Sequence, residues 1–189
     1  MNTELEIAAA AARLVVDEGL DYAGAKRKAA RDFGGRPPMP TDEQVEDAVR
    51  EHIALFCADT QPAELRALRE AALVWMERLA EFRPHLGGAV WRGTATRLSV
   101  VRLDLYCDDP KAPEIALINA GVDYDVAGDE HLPALVLATP SRPLGEPVTV
   151  QLMLHDTDAQ RGALKPDARG RSWRGDAAAL RRLLQEDGT

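Results

Sequence analysis

From Ile7 to Phe82 the apolar residues recur every three to four positions, the repeat of helices that bury one stripe and wet the other. Thr3 followed by Glu6 is a capping-box pattern that opens the first helix, with Ile7, Ala11, Leu14 and Val15 on its apolar face and a stop at Glu18-Gly19. Tyr22 to Phe33 reads as a second helix, with Ala25, Ala29 and Phe33 inward and Lys26, Arg27 and Lys28 outward. Pro37, Pro38 and Pro40 then forbid helix, because each lacks an N–H and restricts the residue before it. Thr41 and Gln44 make another capping box, opening a helix with Val45, Val49, Ile53 and Phe56 on its stripe. A longer helix after Thr60 and Pro62 carries Leu65, Leu68, Ala72, Trp75, Met76, Leu79 and Phe82 at helical spacing.

After Arg83-Pro84 the period shortens to two. Gly88 to Trp91 is a short strand candidate, Val100 to Cys107 a second and Val122 to Val126 a third, with a helix from Pro110 to Ala120 between the last two. Ala134 to Ala138 and Val148 to Leu154 add two strands, separated by the turn-rich Pro140 to Pro147. Asp156 to Arg174 has no period and is rich in glycine and arginine, so it reads as a long loop. A final helix, capped by Asp176, carries Leu180, Leu183 and Leu184. These patterns predict an α+β protein with a helical region over 1–83 and a mixed-sheet region over 84–189.

With 189 residues, 46% hydrophobic and 29% charged, the chain has the composition of a globular protein able to fold without staples. No run approaches the ~20 apolar residues of a membrane helix, and the acidic opening Met1 to Glu6 is unlike a basic secretory signal, so a cytoplasmic location is expected. Cys57 and Cys107 stand far apart with no CxxC partner, which argues against a disulfide framework or a zinc ribbon. The net charge of −8 repels a phosphate backbone, so any nucleic-acid contact needs a local basic patch.

Gly88 to Leu105 carries a strand, a tight turn and a second strand. The segment resembles the core of the nucleotidyltransferase superfamily, in which an hG[GS] turn after one strand is followed by a DhDh pattern on the next. The resemblance places the turn at Trp91-Arg92-Gly93-Thr94 and the carboxylate strand at Arg102-Leu103-Asp104-Leu105. In such enzymes small turn residues admit the triphosphate, while paired carboxylates hold magnesium. Here Arg102 occupies the first carboxylate position, and the alternative register, Ser99 to Leu103 against an SDhDh form, loses both acids. Val148 to Leu154 supplies no third acid, and Asp156 lies just beyond it. The resemblance thus implies a helical N-terminal unit packed on a nucleotidyltransferase-like sheet whose metal site is degenerate, and no metal or cofactor is expected.

Two other resemblances carry less. The chain is similar to small bacterial proteins that sometimes carry a UDP-N-acetylmuramate–alanine ligase label, but it lacks the GxxxxGK[ST] phosphate loop and the length of an ATP-dependent ligase. Ala10 to Gly34 resembles the first two helices of a TetR-type DNA-binding domain. The helix that follows comes too late for a helix-turn-helix and presents Asp42, Glu43, Glu46, Asp47 and Glu51, so DNA binding is not expected.

His52, His85, His131 and His155 have no metal-ligand spacing, and neither Ser99 nor Ser172 sits in a nucleophile elbow. Arg161 to Arg182 is strongly basic, and reads either as a solvated stretch or as a phosphate-contacting loop in which Arg169 and Arg171 bind and Trp173 stacks on a base. Two functions remain open. One is a degenerate nucleotidyltransferase-like protein that binds a nucleotide, another phosphate-bearing ligand or a macromolecular partner through Gly93, Thr94, Arg102 and the arginine-rich loop. The other is an enzyme of different chemistry using Asp104 with His155 or Asp156. A helical interaction module or DNA-binding protein is a weaker third, and no pattern fixes an oligomeric state.

Overall fold

The computed structural model describes residues 2–188 and divides the chain into two compact units, Met1–Pro62 with Thr94–Leu98, and Ala63–Gly93 with Ser99–Thr189. The fold is α+β, with helices and one mixed six-stranded sheet.

The first unit contains α1 (Thr3–Glu18), α2 (Tyr22–Ala30) and α3 (Asp42–Phe56). Ile7, Ala11, Val45 and Val49 meet in its core and exclude water completely. Asn2, rather than Thr3, caps α1, its side chain accepting from the Glu4 N–H, so the predicted cap is displaced by one residue. Gly19 ends that helix in the left-handed region. Thr41 and Gln44 form both bonds of the capping box expected for α3. Two assignments on α3 differ from expectation. Phe56 lies 73% exposed beyond the end of the buried stripe, and Glu46 is buried against Arg50 at 2.9 Å instead of facing solvent. Residues 94–98 complete the unit, where the Gln61 side-chain amide donates to the carbonyl of the fully buried Ala95.

The second unit contains α4 (Gln61–Arg78, from Ala63 onward), β1 (His85–Gly87), α5 (Gly88–Arg92), β2 (Val101–Tyr106), α6 (Ala112–Asn119), β3 (Asp125–Gly128), β4 (Pro133–Thr139), β5 (Val148–His155), α7 (Gln160–Ala163), β6 (Arg174–Gly175) and α8 (Ala177–Glu186). The strand order is β3-β4-β5-β2-β1-β6, with β2 and β5 parallel and every other pair antiparallel. Gly88 to Trp91, expected as a strand, is instead the start of α5, and the strand before it is His85–Gly87. A short apolar run has no usable period, and Gly88, at φ +66°, turns the chain out of the sheet into the helix. The long loop also hides structure: a 3-10 turn at Thr157–Ala159, α7, an isolated bridge between Pro166 and Ser172, and β6.

Alternation gives the sheet two unlike faces. Leu86, Leu103, Leu105, Val150 and Leu152 project to one side and are fully buried. On α4, buried Arg69 donates to the Val90 and Trp91 carbonyls of α5 and pairs with Asp187 after α8, which fastens these helices around the sheet end. β6 fits against α5 only because Gly175 has no side chain: a Cβ there would enter the Trp91 ring. Gly175→Ala is therefore expected to destabilise by about 1–3 kcal/mol through overpacking, lowering the thermal midpoint by roughly 2–4 °C per kcal/mol, and an unchanged melting curve would contradict this packing.

Candidate functional site

The second sheet face is polar. On β2 the residues alternating with the buried leucines are Arg102, Asp104 and Tyr106. The antiparallel register sets His85 of β1 opposite Asp104 and Gly87 opposite Arg102, while the parallel register sets His155 of β5 opposite Tyr106. Arg174 of β6 pairs with Gly87, which brings a second guanidinium to the same face.

Asp104 is the centre of this cluster, with only 1% of its side chain exposed. Its Oδ1 lies 2.7 Å from His155 Nε2 and 3.8 Å from Arg102 Nη2, and its Oδ2 lies 3.3 Å from Arg174 Nε. A carboxylate can only accept, so the Nε2 of His155 donates in this contact, and in the neutral form of the ring that leaves Nδ1 as the acceptor. The His155 ring stacks on Tyr106 at 5.3 Å, and Tyr106 meets the edge of His85 at 5.5 Å. His85 Nδ1 donates to the Arg83 carbonyl at 2.8 Å. Burial pushes the Tyr106 phenol pKa up, and the Asp104 charge raises it further against the opposing effect of Arg174 and Arg102. The phenol lies beside Arg174 without a hydrogen bond of good geometry.

The structure brings Asp104 and His155 together and leaves Asp156 out of the cluster, exposed at the start of the next 3-10 turn. Gly93 closes α5 in the left-handed region, and Thr94 is buried in the other unit, so neither lies on the turn that follows β1. The small residues at that turn are Gly87, the last of β1, and Gly88, the first of α5. A Cβ on Gly87 would stand 3.6 Å from Asp104 Oδ2, and one on Gly88 4.0 Å from the Arg102 Cβ. These two glycines were legible as a small-residue pair, but the strand assigned to Gly88–Trp91 concealed them. His85, Tyr106 and Arg174 were also missed, and only the period-two alternation of β2 signals the tyrosine.

The arginine-rich loop is organised from within. Asp167 has a fully buried side chain that accepts the N–H groups of Arg169 and Arg171 and pairs with Arg92 at 3.0 Å and Arg171 Nε at 3.3 Å. The Arg92 guanidinium lies 4.1 Å from the Trp173 ring centroid and donates to the Ser172 carbonyl. One face of Trp173 is therefore already covered by a cation, and Arg171 is engaged inside the loop rather than turned to a ligand. Elsewhere, burial first and then Asp109, Asp108 and Asp156 push the Cys107 thiol pKa up, which makes it a poor nucleophile. Lys26 pairs with Asp42 and Lys28 with Glu18, so much of the basic run on α2 is neutralised. Among the described residues no group of three or more His, Cys, Asp or Glu side chains is placed to hold a metal ion, and no helix is long and apolar enough to cross a membrane.

The fold and site together define a class: an α+β protein with a buried Asp–His pair flanked by two arginines on the polar face of a mixed sheet. No protein-family model matches the chain, and no curated protein matches it. Among solved structures it is similar to the Cid1 poly(U) polymerase with MgGTP bound, at 17% identity over 51% of this chain and 33% of that one, with a TM-score of 0.36. Cid1 in complex with the UTP analogue UMPNPP gives 15% identity over 56% of this chain and 37% of that one, with a TM-score of 0.38. The chain spans about a third of the length of these proteins. A likeness at this level assigns no residue, and the ligase label finds no support in it.

The Asp167 network makes a pH prediction. Burial raises the carboxyl pKa, but the Arg171 N–H, the Arg92 side chain, the Arg169 N–H and the Arg171 charge outweigh it and lower the value from 3.8 to about 2. A carboxylate with a lowered folded-state pKa adds stability that is fully present above its unfolded value and is lost as pH falls through the folded one. Asp167→Asn should therefore lower the thermal midpoint at neutral pH, and the gap from the parent protein should close between about pH 4 and pH 2. A gap that stays constant over that range would contradict the ionised hub.

Proposed function

We propose that this chain binds a phosphate-bearing ligand, such as a nucleotide, on a nucleotidyltransferase-like core without performing magnesium-dependent nucleotidyl transfer. The observation that carries this reading is the enclosure of Asp104 by His155, Arg174 and Arg102. Support for the scaffold comes from the strand pairing, which sets His85, Leu86 and Gly87 against Asp104, Leu103 and Arg102, with Gly88 directly after β1, in the order of the hG[GS] and DhDh patterns. The degeneracy rests on chemistry. Two magnesium ions beside a triphosphate need several anionic oxygens, whereas the Asp104 cluster supplies one carboxylate next to two permanent cations, and Met153 and His155 on the neighbouring β5 add no acid. Arg102 is 42% exposed and Arg174 29% exposed, so both guanidinium groups can reach a phosphate while Asp104 behind them sets their position. In this reading Arg169 and Arg171 serve the Asp167 hub, and Gly87 and Gly88 take the place first given to Gly93 and Thr94.

A second reading is favoured by the 2.7 Å Asp104–His155 contact: the carboxylate orients His155 so that Nδ1 acts as a general base in chemistry that needs no metal. Its mark is turnover of a phosphate ester in chelator that disappears in His155→Ala.

Titration calorimetry with nucleoside triphosphates, in magnesium and in chelator, separates these outcomes. The binding reading predicts equal affinity in both buffers, and a loss of roughly ten- to a hundredfold in Arg102→Ala and in Arg174→Ala, the scale of a charge-assisted hydrogen bond. Radiolabelled triphosphate should transfer no label to an acceptor. Binding that requires magnesium, or label transfer abolished by Asp104→Asn, would overturn the proposal.

A further inference from the structure

The opposite end of the sheet carries a surface that the phosphate site does not use. The helix α6 reads Ala-Pro-Glu-Ile-Ala-Leu-Ile-Asn, apolar on nearly every side, which is the pattern of a helix enclosed by protein. Yet only Pro113 and Leu117 are buried, while Ile115 is 51% and Ile118 59% exposed. The chain returns along this helix, and the Tyr124 hydroxyl donates to Glu114 at 2.6 Å. Tyr124 therefore faces α6, and Val126, two residues further along the chain, is 72% exposed on the sheet face that carries Leu135 and Leu152.

Val126 belongs to β3, the edge strand of the sheet, hydrogen-bonded to β4 alone. Its sequence, Asp-Val-Ala-Gly, has none of the lysines or prolines that commonly block an edge. One backbone rim thus stands unpaired within the sheet, on a strand that carries exposed Val126 and follows directly on the Tyr124–Glu114 link to α6, whose Ile115 and Ile118 are exposed. The surroundings are strongly acidic: between Asp108 and Glu130 the chain carries seven carboxylates and a single lysine. Asp123 and Asp125 are exposed and form no ion pair among the described residues.

We propose that β3 and the outer face of α6 form a docking site for an extended, basic segment of a partner protein, which adds to the sheet as a seventh strand. Main-chain hydrogen bonds to β3 supply the register, and alternate side chains supply the selectivity. Those on one side cover Ile115, Ile118 and Val126, and those on the other bring positive charge to Asp123 and Asp125. Charge sets this occupant apart from a second copy of the chain, because joining two β3 edges would oppose the same aspartates across the seam of two molecules that each carry −8.

The test is an NMR titration of the full chain with a blocked seven-residue peptide of alternating lysine and valine. A glutamate–valine counterpart and a version with a central proline serve as controls. The lysine peptide should shift amide signals of α6 and β3 and slow hydrogen exchange along β3, weaken with added salt, and lose about tenfold or more in affinity in Ile118→Glu and in Asp125→Lys. The two control peptides should leave these signals in place. Absence of β3 shifts at about 1 mM lysine peptide, equal binding of the glutamate peptide, or shifts confined to other elements would overturn the proposal. So would a concentration-dependent dimer that Ile118→Glu dissociates, which would assign the edge to a second copy.

Discussion

A carboxylate taken out of water has to be paired, and the polar half of this sheet is arranged around one such group. Asp104 sits on one of the two central strands of the sheet with its side chain closed off from solvent, and its oxygens reach a histidine from β5, an arginine from β6 and an arginine from its own strand. Of these partners only Arg102 is close to Asp104 in sequence. Strand order and register bring them together, so the charge balance at Asp104 and the topology of the sheet depend on one another.

The leucine and valine side of the same strands explains why this arrangement is rigid. Leu103 and Leu105 are fully buried on the apolar face, so the strand cannot slip by one residue without turning Arg102 and Asp104 into that apolar core. Arg174 is held from the other direction. The Asp167 hub orders the loop up to Ser172, where the Trp91 indole and Arg92 both donate to the carbonyl, and β6 begins two residues later. A buried acid in that loop thus helps to place the guanidinium that faces Asp104. Arg171 and Trp173, which the sequence offered as a phosphate contact and a base-stacking ring, are engaged in this internal order.

Much of the helical part was legible because its signals are local. Gly19 and the Thr41–Gln44 pair act within one turn of chain, and the buried stripes of α1 and α3 follow from their spacing. Such spacing cannot say where a stripe ends, which is why Phe56 emerges exposed and Glu46 buried. The sheet region was legible wherever alternation runs for six or more residues, as in β2 and β5. It failed at β1 and α5, where four or five apolar residues fit either structure and the deciding feature is the left-handed Gly88. The site was half legible for the same reason. Asp104 and Arg102 share a strand face by simple alternation, whereas the contacts with His155 and Arg174 require a parallel pairing and a two-residue edge strand that no local pattern announces.

The most direct test of the account is to locate a ligand and a metal at this face in one experiment, by crystallising the chain with a non-hydrolysable nucleoside triphosphate and manganese and measuring the anomalous signal. The account predicts phosphate oxygens on Arg102 and Arg174, with the Asp104–His155 contact intact and no manganese bound to Asp104. A manganese ion coordinated by Asp104, with the arginines displaced from it, would contradict the account.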